Sequence, residues 1–389
     1  MKSLFDLLNI HDQDTLKYRS KELDISMTRL RYYSDNNIVP IGEDERKICS
    51  FLNISKVEYK LSLEDIDYGM LDLLKAHSKE VAKILNTDSG RQVEDSKGFD
   101  LINFNFKTEH GKLFEGDSLD LMKNMPDECV DMVFADPPFN LNVNYDSHIN
   151  DKLNEDDYIR WTENWIKEAV RILKPGGSFF VWNLPKWNIP TANILDKHLK
   201  FRHWISVDMK YGMPIRGRLY PAHYALLYYI KGDRPNTFNP DRLPLEVCSN
   251  CGHELKNYGG YKNKLKSNGM TMSDVWKDIY PVRHTKYKTR KNNELPIKLL
   301  DRIISLSTNE GDIVFDPFGG SGTTYIVAEL LDRKWIGGEI GPITDIVNRF
   351  NNLAFEDEKL NDIRKYKNKL FLPNIVKLRE KNHFWLPKK

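Results

Sequence analysis

The chain has 389 residues, of which 40% are hydrophobic and 29% charged, and its formal net charge is +2. This composition is typical of a soluble globular protein with one large domain and one or two smaller ones. Four cysteines are too few for a disulfide scaffold. Neither a signal peptide nor an apolar run of membrane-spanning length is recognisable, so we expect a cytoplasmic protein.

Residues 1–88 are predicted to form a small helical domain. Helical patterns cover 14–23, 26–36 and 62–85, and a short turn at Asp24 separates the first two. This outline is that of a helix-turn-helix and resembles the start of MerR-like regulators. A plain packing or dimerisation domain explains the pattern equally well. Four side chains on the second helix could meet a DNA backbone: Arg29, Arg31, Tyr32 and Tyr33.

The pattern changes after a polar, glycine-containing stretch, for which we predict a linker over 89–110. Strands and helices then alternate, with a core-facing stripe of apolar side chains at helical spacing over 158–172. The LKPGG sequence stops that helix, and SFFVWN resumes the sheet. A strand, a glycine-rich turn, a helix and a strand follow over 312–339. The predicted fold class is α/β, with a mostly parallel sheet covered by helices on both faces.

The glycine-rich turn, DPFGGSGTT over 316–324, follows a strand and opens a helix. Glycines there let the backbone approach a ligand held at the helix N-terminus. A P-loop would need a lysine after Gly322, and a dinucleotide fingerprint would need Gly or Ala where Tyr325 stands. Glu339 ends the next strand, where a carboxylate can accept both hydroxyls of a ribose. An adenosyl ligand without a pyrophosphate fits best, and a purely structural turn is the alternative.

A second motif, DPPFN over 136–140, ends the apolar strand VDMVFA. Two consecutive prolines fix φ and supply carbonyls that have no competing N–H. Asp136 adds an acceptor that can take a proton, and Phe139 offers a flat face for stacking. Acceptors beside an aromatic face suit the amino group of an extruded base. A tight turn with a capping Asp and a core Phe is the alternative interpretation.

Together the two motifs resemble those of the amino-directed DNA methyltransferases. That family carries an Asp-Pro-Pro-aromatic catalytic motif, matched by residues 136–139, and a Phe-x-Gly-x-Gly cofactor motif, matched by Phe318, Gly320 and Gly322. The catalytic motif comes first, an order that resembles the β class, in which the target-recognition region lies between the motifs. The resemblance covers roughly 110–345 and implies a Rossmann-like, S-adenosylmethionine-dependent methyltransferase fold.

The resemblance also implies the site residues. S-adenosyl-L-methionine would be the cofactor, methyl transfer would be direct, and no metal would be needed. The catalytic set is Asp136, Pro137, Pro138 and Phe139. The cofactor set is Asp117, Ser118, Asp136, Asp316, Phe318, Gly320, Gly322, Thr323 and Glu339.

Three regions follow the linker: a catalytic half over 111–183, a target-recognition region with part of the sheet over 184–290, and a cofactor-binding half with a tail over 291–389. Between residues 256 and 302, 12 Lys and Arg stand against 4 Asp and Glu, a local excess that can neutralise phosphates. A solvated charged face is the alternative. The predicted DNA contacts are Arg216, Arg218, Arg283, Lys286, Lys288 and Arg290.

Cys248 and Cys251 have the spacing of a zinc knuckle. A closed zinc site needs four ligands, and the other two cysteines are distant in sequence, so His253 or His284 would have to contribute. Two reduced thiols in a glycine-containing turn is the interpretation we prefer.

The predicted activity is methylation of adenine N6 in double-stranded DNA by base flipping, because Asp-Pro-Pro leans to adenine in this family and Ser-Pro-Pro to cytosine. Cytosine-N4 methylation is the nearest alternative. A non-catalytic DNA-binding regulator that retains the cofactor fold is an alternative of another class. A homodimer and a separate restriction endonuclease, as in restriction–modification systems, are compatible partners.

Overall fold

The computed structural model describes residues 4–35, 38–63, 65–66, 68–86, 98–140, 153–208, 216–217, 219, 222–248, 250–282, 294–367 and 369–386. The chain divides into two compact units, Met1–Asp95 and Ser96–Lys389. Within these described ranges, no helix is both long and apolar enough to span a membrane.

The described part of the N-terminal unit is helical, as predicted. The helices at 14–23 and 26–36 are confirmed, and Asp24, in the left-handed region at φ 52°, ends the first of them. The single helix predicted over 62–85 is wrong, because one helix ends at Ser62 and two others follow. The helices are α1 (Leu4–Leu7), α2 (Gln13–Leu23), α3 (Met27–Asp35), α4 (Glu43–Leu52), α5 (Lys56–Ser62), α6 (Tyr68–Ala76) and α7 (Ser78–Asn86).

Two of the side chains considered for DNA contact in this unit take part in packing α3 on α4. The Arg29 guanidinium lies 2.9 Å from the Asp44 carboxylate, which is almost fully buried. The Tyr33 hydroxyl donates to the same carboxylate at 2.7 Å. Arg31 donates to the side chain of Gln13 on α2. These bonds give the polar face of α3 a role within the unit, and DNA contact by this face stays a prediction.

The second unit is built on a nine-stranded sheet with helices between the strands. Its first half contains β1 (Phe106–Lys107), β2 (Gly111–Glu115), α8 (Ser118–Asn124), β3 (Val130–Ala135), α9 (Glu155–Ile172), β4 (Leu173–Asn183), α10 (Pro185–Leu195), β5 (Lys200–Asp208) and β6 (His223–Ile230). Its second half contains β7 (Arg242–Leu243), α11 (Lys262–Asn268), β8 (Met270–Thr271), β9 (Val275–Trp276), α12 (Ile297–Ser307), β10 (Ile313–Asp316), α13 (Thr323–Leu330), β11 (Lys334–Glu339), α14 (Thr344–Asn351), α15 (Leu353–Lys365) and α16 (Pro373–Lys381).

The strand order is β1-β2-β11-β10-β3-β4-β6-β5-β9, and β7 pairs with β8 outside this sheet. Strands β2, β11, β10, β3 and β4 are mutually parallel, whereas β6 is antiparallel to both of its neighbours. Successive side chains of β3 alternate between two buried clusters, as expected for a sheet covered on both faces. One cluster includes α12 and α13, and the other includes α8, α9 and α10. The predicted α/β fold is confirmed.

Two boundaries differ from those predicted. Residues 106–107, placed in the linker, form β1 and pair with β2, and Phe104 is 8% exposed, so 98–110 belong to the second unit. The helix before LKPGG does end at Ile172, but β4 begins at once with Leu173. A bulge between the pairs at Val130 and Met132 lets the proline and glycines stay in the strand.

Candidate active site

The predicted site segments lie along one edge of the sheet, at the carboxyl ends of four adjacent parallel strands. Residues 117–118 follow β2, Glu339 ends β11, the glycine-rich loop follows β10, and Asp136 follows β3. Neighbouring strands lie about 4.8 Å apart. The Gly116 N–H donates to the Glu339 carbonyl at 2.8 Å, which holds the first two segments together. Ligands of open α/β sheets bind at this edge.

The glycine-rich loop runs tightly against its surroundings. Gly320 and Gly322 have φ values of 54° and 75°, in the left-handed region that favours glycine. A Cβ on Gly322 would lie 2.8 Å from a methyl carbon of Ile346 on α14. The Gly319 N–H donates to the Gly338 carbonyl on β11 at 2.8 Å. The loop is therefore packed closely against α14 and β11 just before α13 begins.

Asp316 shapes this loop from within. It is 2% exposed, and its carboxylate accepts bonds from the Phe318 N–H at 2.9 Å and the Thr324 hydroxyl at 2.6 Å. Burial raises the pKa of Asp316 to about 7, although both of these hydrogen bonds act in the opposite direction. The Asp316 side chain, which was predicted to bind the cofactor, thus forms hydrogen bonds within the loop itself.

A buried ion pair supports the loop from the other side. Arg349 on α14 donates to the Ser321 carbonyl at 2.8 Å and to the Thr323 hydroxyl at 2.9 Å. Its guanidinium also pairs with Glu356 on α15 at 3.1 Å, and both side chains are at most 2% exposed. Sequence reasoning did not find this pair, because an Arg and a Glu seven residues apart look like surface charges. The predicted cofactor residue Thr323 is therefore held by a side chain outside both motifs.

Glu339 is placed as predicted at the carboxyl end of β11. Its two carboxylate oxygens accept from the Gly320 N–H at 2.6 Å and from the Gly341 N–H at 2.9 Å. These bonds fix the plane of the carboxylate and leave lone pairs for further donors. A fixed carboxylate beside a glycine-rich loop suits a nucleoside with two ribose hydroxyls, so these groups fit S-adenosylmethionine.

The remaining cofactor residues border this centre. Asp117 is exposed and accepts from the Leu119 N–H at 2.8 Å as the N-cap of α8, and Ser118 is buried next to it. The Phe318 ring lies 5.6 Å from the ring of Trp161 and 5.3 Å from that of Trp165, both on α9. The loop after β10 is thus packed onto the helix that follows the catalytic motif.

The catalytic motif is a turn held at both ends. Pro137 is buried, and Asp136, Pro138 and Phe139 are half-buried. Asn140 has a φ of 51°, and its side chain bonds to both the N–H and the carbonyl of Leu153.

Donors from two helices reach the carbonyls of this turn. The Tyr158 hydroxyl donates to the Pro138 carbonyl, and the Trp187 indole N–H donates to the Phe139 carbonyl, each at 2.7 Å. Sequence reasoning placed Tyr158 in a core stripe and did not select Trp187. Nothing in either local pattern distinguishes these side chains from ordinary core aromatics.

Phe139 borders an aromatic group that comes from the sheet. Its ring centroid lies 6.5 Å from that of Tyr224, at an interplanar angle of 40°. Tyr224 in turn stacks on Trp182 at 4.9 Å. Because β6 is antiparallel to β4, its first residues reach the same edge at which β4 ends. The sequence suggested a core strand at 224–230 and gave no sign that Tyr224 would border the site.

Most of the predicted DNA contacts, namely Arg218, Arg283, Lys286, Lys288 and Arg290, lie outside the described residues, and Arg216 is exposed. The described part of the middle region contains an open cavity of about 490 Å³. Cations and aromatic rings share its wall, and Tyr261 is 65% exposed. The run Tyr-Gly-Gly-Tyr-Lys over 258–262 is the sequence signal for this surface. The cavity is lined by Arg242, Tyr258, Tyr261, Lys264, Leu265 and Gly269.

Cys248 and Cys251 lie in a tight turn closed by the Cys248 N–H, which donates to the His253 carbonyl at 2.8 Å. Within the described ranges, no three His, Cys, Asp or Glu side chains form a group that could hold a metal ion. That methyl transfer by this protein needs no metal ion stays a prediction.

Comparisons with known proteins agree with this geometry. Residues 130–348, which include both motifs, match a family model described as DNA methylase. The chain is 49% identical over 366 residues to the type II methyltransferase M.BamHI of Bacillus amyloliquefaciens, covering 94% of this chain and 86% of that protein. It is 34% identical over 240 residues to the DNA adenine methyltransferase YhdJ of Escherichia coli strain K12, covering 60% and 80% of the two chains.

Among solved structures, the PvuII DNA methyltransferase (cytosine-N4-specific) is similar with a TM-score of 0.48 and 22% identity, covering 68% of this chain and 96% of that one. The family assignment rests on the match to the DNA methylase model and on the relative that is 49% identical. The chain belongs to the amino-directed (N6/N4) family of S-adenosylmethionine-dependent DNA methyltransferases.

Proposed function

We propose that the protein transfers a methyl group from S-adenosylmethionine to the N6 amino group of adenine in double-stranded DNA. The observation that carries the proposal is the position of the Asp136–Phe139 turn beside the glycine-rich loop, at the ends of the adjacent strands β3 and β10. A base that enters this edge of the sheet would meet the acceptors of one loop next to the ligand of the other.

The cofactor would be held by backbone and carboxylate groups. Glu339 would accept the ribose hydroxyls, residues 117–118 would border the adenine, and the loop at Gly320 and Gly322 would hold the methionine end. The bound cofactor supplies a methyl group on a positively charged sulfur, already activated for transfer.

The chain's own contribution is to orient the amine. The lone pair of the base's amino nitrogen is delocalised into the ring, which makes the amine a poor nucleophile. The Asp136 carboxylate and the Pro137 carbonyl would accept its two hydrogens and direct the lone pair toward the methyl group. As the new N–C bond forms, the methyl–sulfur bond would break and its electron pair would stay on sulfur, leaving the neutral thioether, while one amino proton passes to Asp136, directly or through water. Phe139 would stack on the extruded base, a contact worth roughly 1–3 kcal/mol.

The same acceptors would serve cytosine N4, because both bases carry an amino group beside an unprotonated ring nitrogen. Asp136 instead of Ser is the reason to propose adenine, by the pattern of the family. Single-molecule sequencing of DNA from a methylation-free host that expresses the protein reports base and site together. N6-methyladenine at one sequence supports the proposal. Detection of N4-methylcytosine would mean that the target base is cytosine, while the proposed transfer chemistry would still hold. Unmodified DNA would favour the alternative of a non-catalytic DNA-binding regulator.

We expect Asp136→Ala to fold and to bind S-adenosylmethionine and DNA, but to lose methyl transfer by about a hundredfold or more, because the carboxylate orients the amine in the transition state. Tritiated-methyl transfer, thermal melting and cofactor calorimetry on one preparation test this.

The matched control is Asp131→Ala on the same strand. Asp131 accepts from Lys174 at 2.8 Å and from the Ile313 N–H at 2.9 Å, at the opposite end of β3. This control variant should have a lower melting temperature than the wild type and should keep its activity per folded molecule. A normal melt together with full activity in Asp136→Ala would overturn the mechanism.

DNA contact is proposed for the middle region, including the cavity at Arg242 and Tyr261. Exposed aromatic rings among cations suit phosphates and bases alike. A homodimer and a separate cognate endonuclease remain proposals about partners, and light scattering of the purified protein tests the first.

A further inference from the structure

The backbone carbonyl groups of the catalytic turn differ in whether they accept a hydrogen bond from the protein. The Pro138 carbonyl accepts from the Tyr158 hydroxyl and the Phe139 carbonyl from the Trp187 indole N–H, both at 2.7 Å. Within the described ranges, no group donates to the carbonyl of Pro137. Of three consecutive carbonyls, the two that follow the proposed acceptor are therefore engaged by the protein.

Both donors are themselves held in place. Tyr158 is 3% exposed and Trp187 is 4% exposed, and their ring centroids are 4.5 Å apart. The Tyr158 hydroxyl also accepts from the side-chain amide of Asn183 at 3.3 Å, and Asn183 is 1% exposed. The two rings come from separate helices, α9 and α10, so the turn is fixed against two elements of the fold.

These bonds leave the turn few free dihedral angles. The rings of Pro137 and Pro138 fix φ at two successive residues. The two donors fix the orientation of the two peptide planes that follow. The ψ angles of Asp136 and Pro137 are then the main backbone dihedral angles that these contacts do not fix. A turn restrained in this way is preorganised, as a reaction that depends on alignment requires.

We propose that Tyr158 and Trp187 are positioning residues that hold the catalytic turn so that the Pro137 carbonyl, and not its neighbours, faces the amino group of the base. The inference rests on the proposed role of Asp136 and Pro137. A purely structural role is the competing account, since a buried carbonyl needs a partner in any protein. The two accounts differ in kcat: positioning lowers it, whereas carbonyl satisfaction alone lowers only stability.

The test is Tyr158→Phe, which removes one hydroxyl and keeps the ring. We expect kcat per folded molecule to fall about tenfold, as for the loss of one oriented hydrogen bond. The dissociation constants for S-adenosylmethionine and for DNA from a methylation-free host should change by less than about twofold, because neither ligand loses a contact. Trp187→Phe removes the other donor and should shift kcat in the same direction. If Tyr158→Phe does not fold, Trp187→Phe serves as the test in its place.

The matched control is Tyr229→Phe on β6. The Tyr229 hydroxyl donates to Asp196 at 2.9 Å, beyond the far end of α10, so the same chemical group is lost away from the turn. We expect a lower melting temperature and an unchanged kcat. If Tyr158→Phe and Trp187→Phe behave like this control while Asp136→Ala is inactive, the positioning proposal is overturned and the proposed function stands. Full activity in Asp136→Ala would overturn the function itself.

Discussion

Asp316 is a carboxyl group in the core of the sheet, at the point where β10 becomes the cofactor loop. Burial raises its pKa to about 7, and the neighbouring charge of Glu339 acts in the same direction. Below that pH the folded protein holds a proton on Asp316, whereas the unfolded chain ionises this group near pH 3.8. Folding and proton uptake are therefore linked at this residue.

We expect this linkage to lower the stability of the wild type as pH rises. Between about pH 4 and pH 7 the folded state binds more protons than the unfolded state, so the free energy of unfolding falls as pH increases and levels off above about pH 7. Asp316→Asn removes the titration, and the difference in melting temperature between wild type and variant should shrink or reverse from pH 5 to pH 8. Parallel curves for the two proteins would mean that Asp316 is ionised in the folded state.

Asp278→Asn is the control for this series. Although burial opposes ionisation, bonds from Arg302 and Lys298 hold the pKa of Asp278 far below its usual value. Its contribution to stability is therefore present throughout pH 5 to 8 and is lost only in stronger acid. This variant should be less stable by a constant amount across the same range.

At the scale of elements, the sequence predicted those segments whose pattern is local. The apolar spacing of α9, the β-branched run of β3 and the glycines before α13 all determine structure within a few residues. Helix α4 was missed because its buried face carries Asp44 and Glu45, which look like surface charges in the sequence. The antiparallel direction of β6 was also out of reach, since an apolar run does not reveal its partner.

The same distinction separates the candidate site residues that the sequence predicts from those that only the structure indicates. Asp136 and Gly322 could be predicted from the sequence because each belongs to a motif at the end of a strand. Tyr158, Trp187 and Arg349 were missed because each reaches its loop from another helix. Their function lies in a tertiary hydrogen bond, and a single sequence records no such bond.

The α14–α15 pair gives a prediction at this scale. Arg349→Lys keeps the charge but cannot serve Ser321, Thr323 and Glu356 together, because it lacks the planar fork of the guanidinium. We expect affinity for S-adenosylmethionine to fall about tenfold by calorimetry, as the loop loses oriented bonds. Glu356→Gln leaves a buried cation without its partner and should lower the free energy of unfolding by about 3–5 kcal/mol.

Arg364→Lys on α15 is the matched control. Arg364 pairs at 2.7 Å with Asp301, which is 1% exposed, and it also donates to Ser305, so these bonds connect α15 to α12. This variant should lose stability and bind the cofactor normally. If the Arg349 and Arg364 variants bind the cofactor equally well, the Arg349–Glu356 pair stabilises the core and does not support cofactor binding.

For the whole molecule, a net charge of +2 conceals a strongly basic middle region. We predict that Lys286→Ala, Lys288→Ala and Arg290→Ala together weaken DNA binding and flatten its salt dependence. If all three side chains contact phosphates, the slope of log K against log salt should drop by about 2.7. Replacing the exposed Lys365, Lys377 and Lys381 removes the same charge elsewhere and should change the slope much less. Equal slopes in the two triple variants would make the basic region a solvated face.

The strand order also determines when this enzyme can become active during its synthesis. Strands β2 and β3 are made early but are not neighbours, because β11 and β10, made near the end, lie between them. A growing chain thus carries its catalytic turn long before the strands that would hold that turn beside the cofactor loop. Such distant pairings form slowly and leave strand edges unpaired in the meantime. An unfinished chain can pair β3, β4, β6 and β5 but lacks the two strands that join this part of the sheet to β2, so methyl transfer begins only once residues 313–339 have joined the fold.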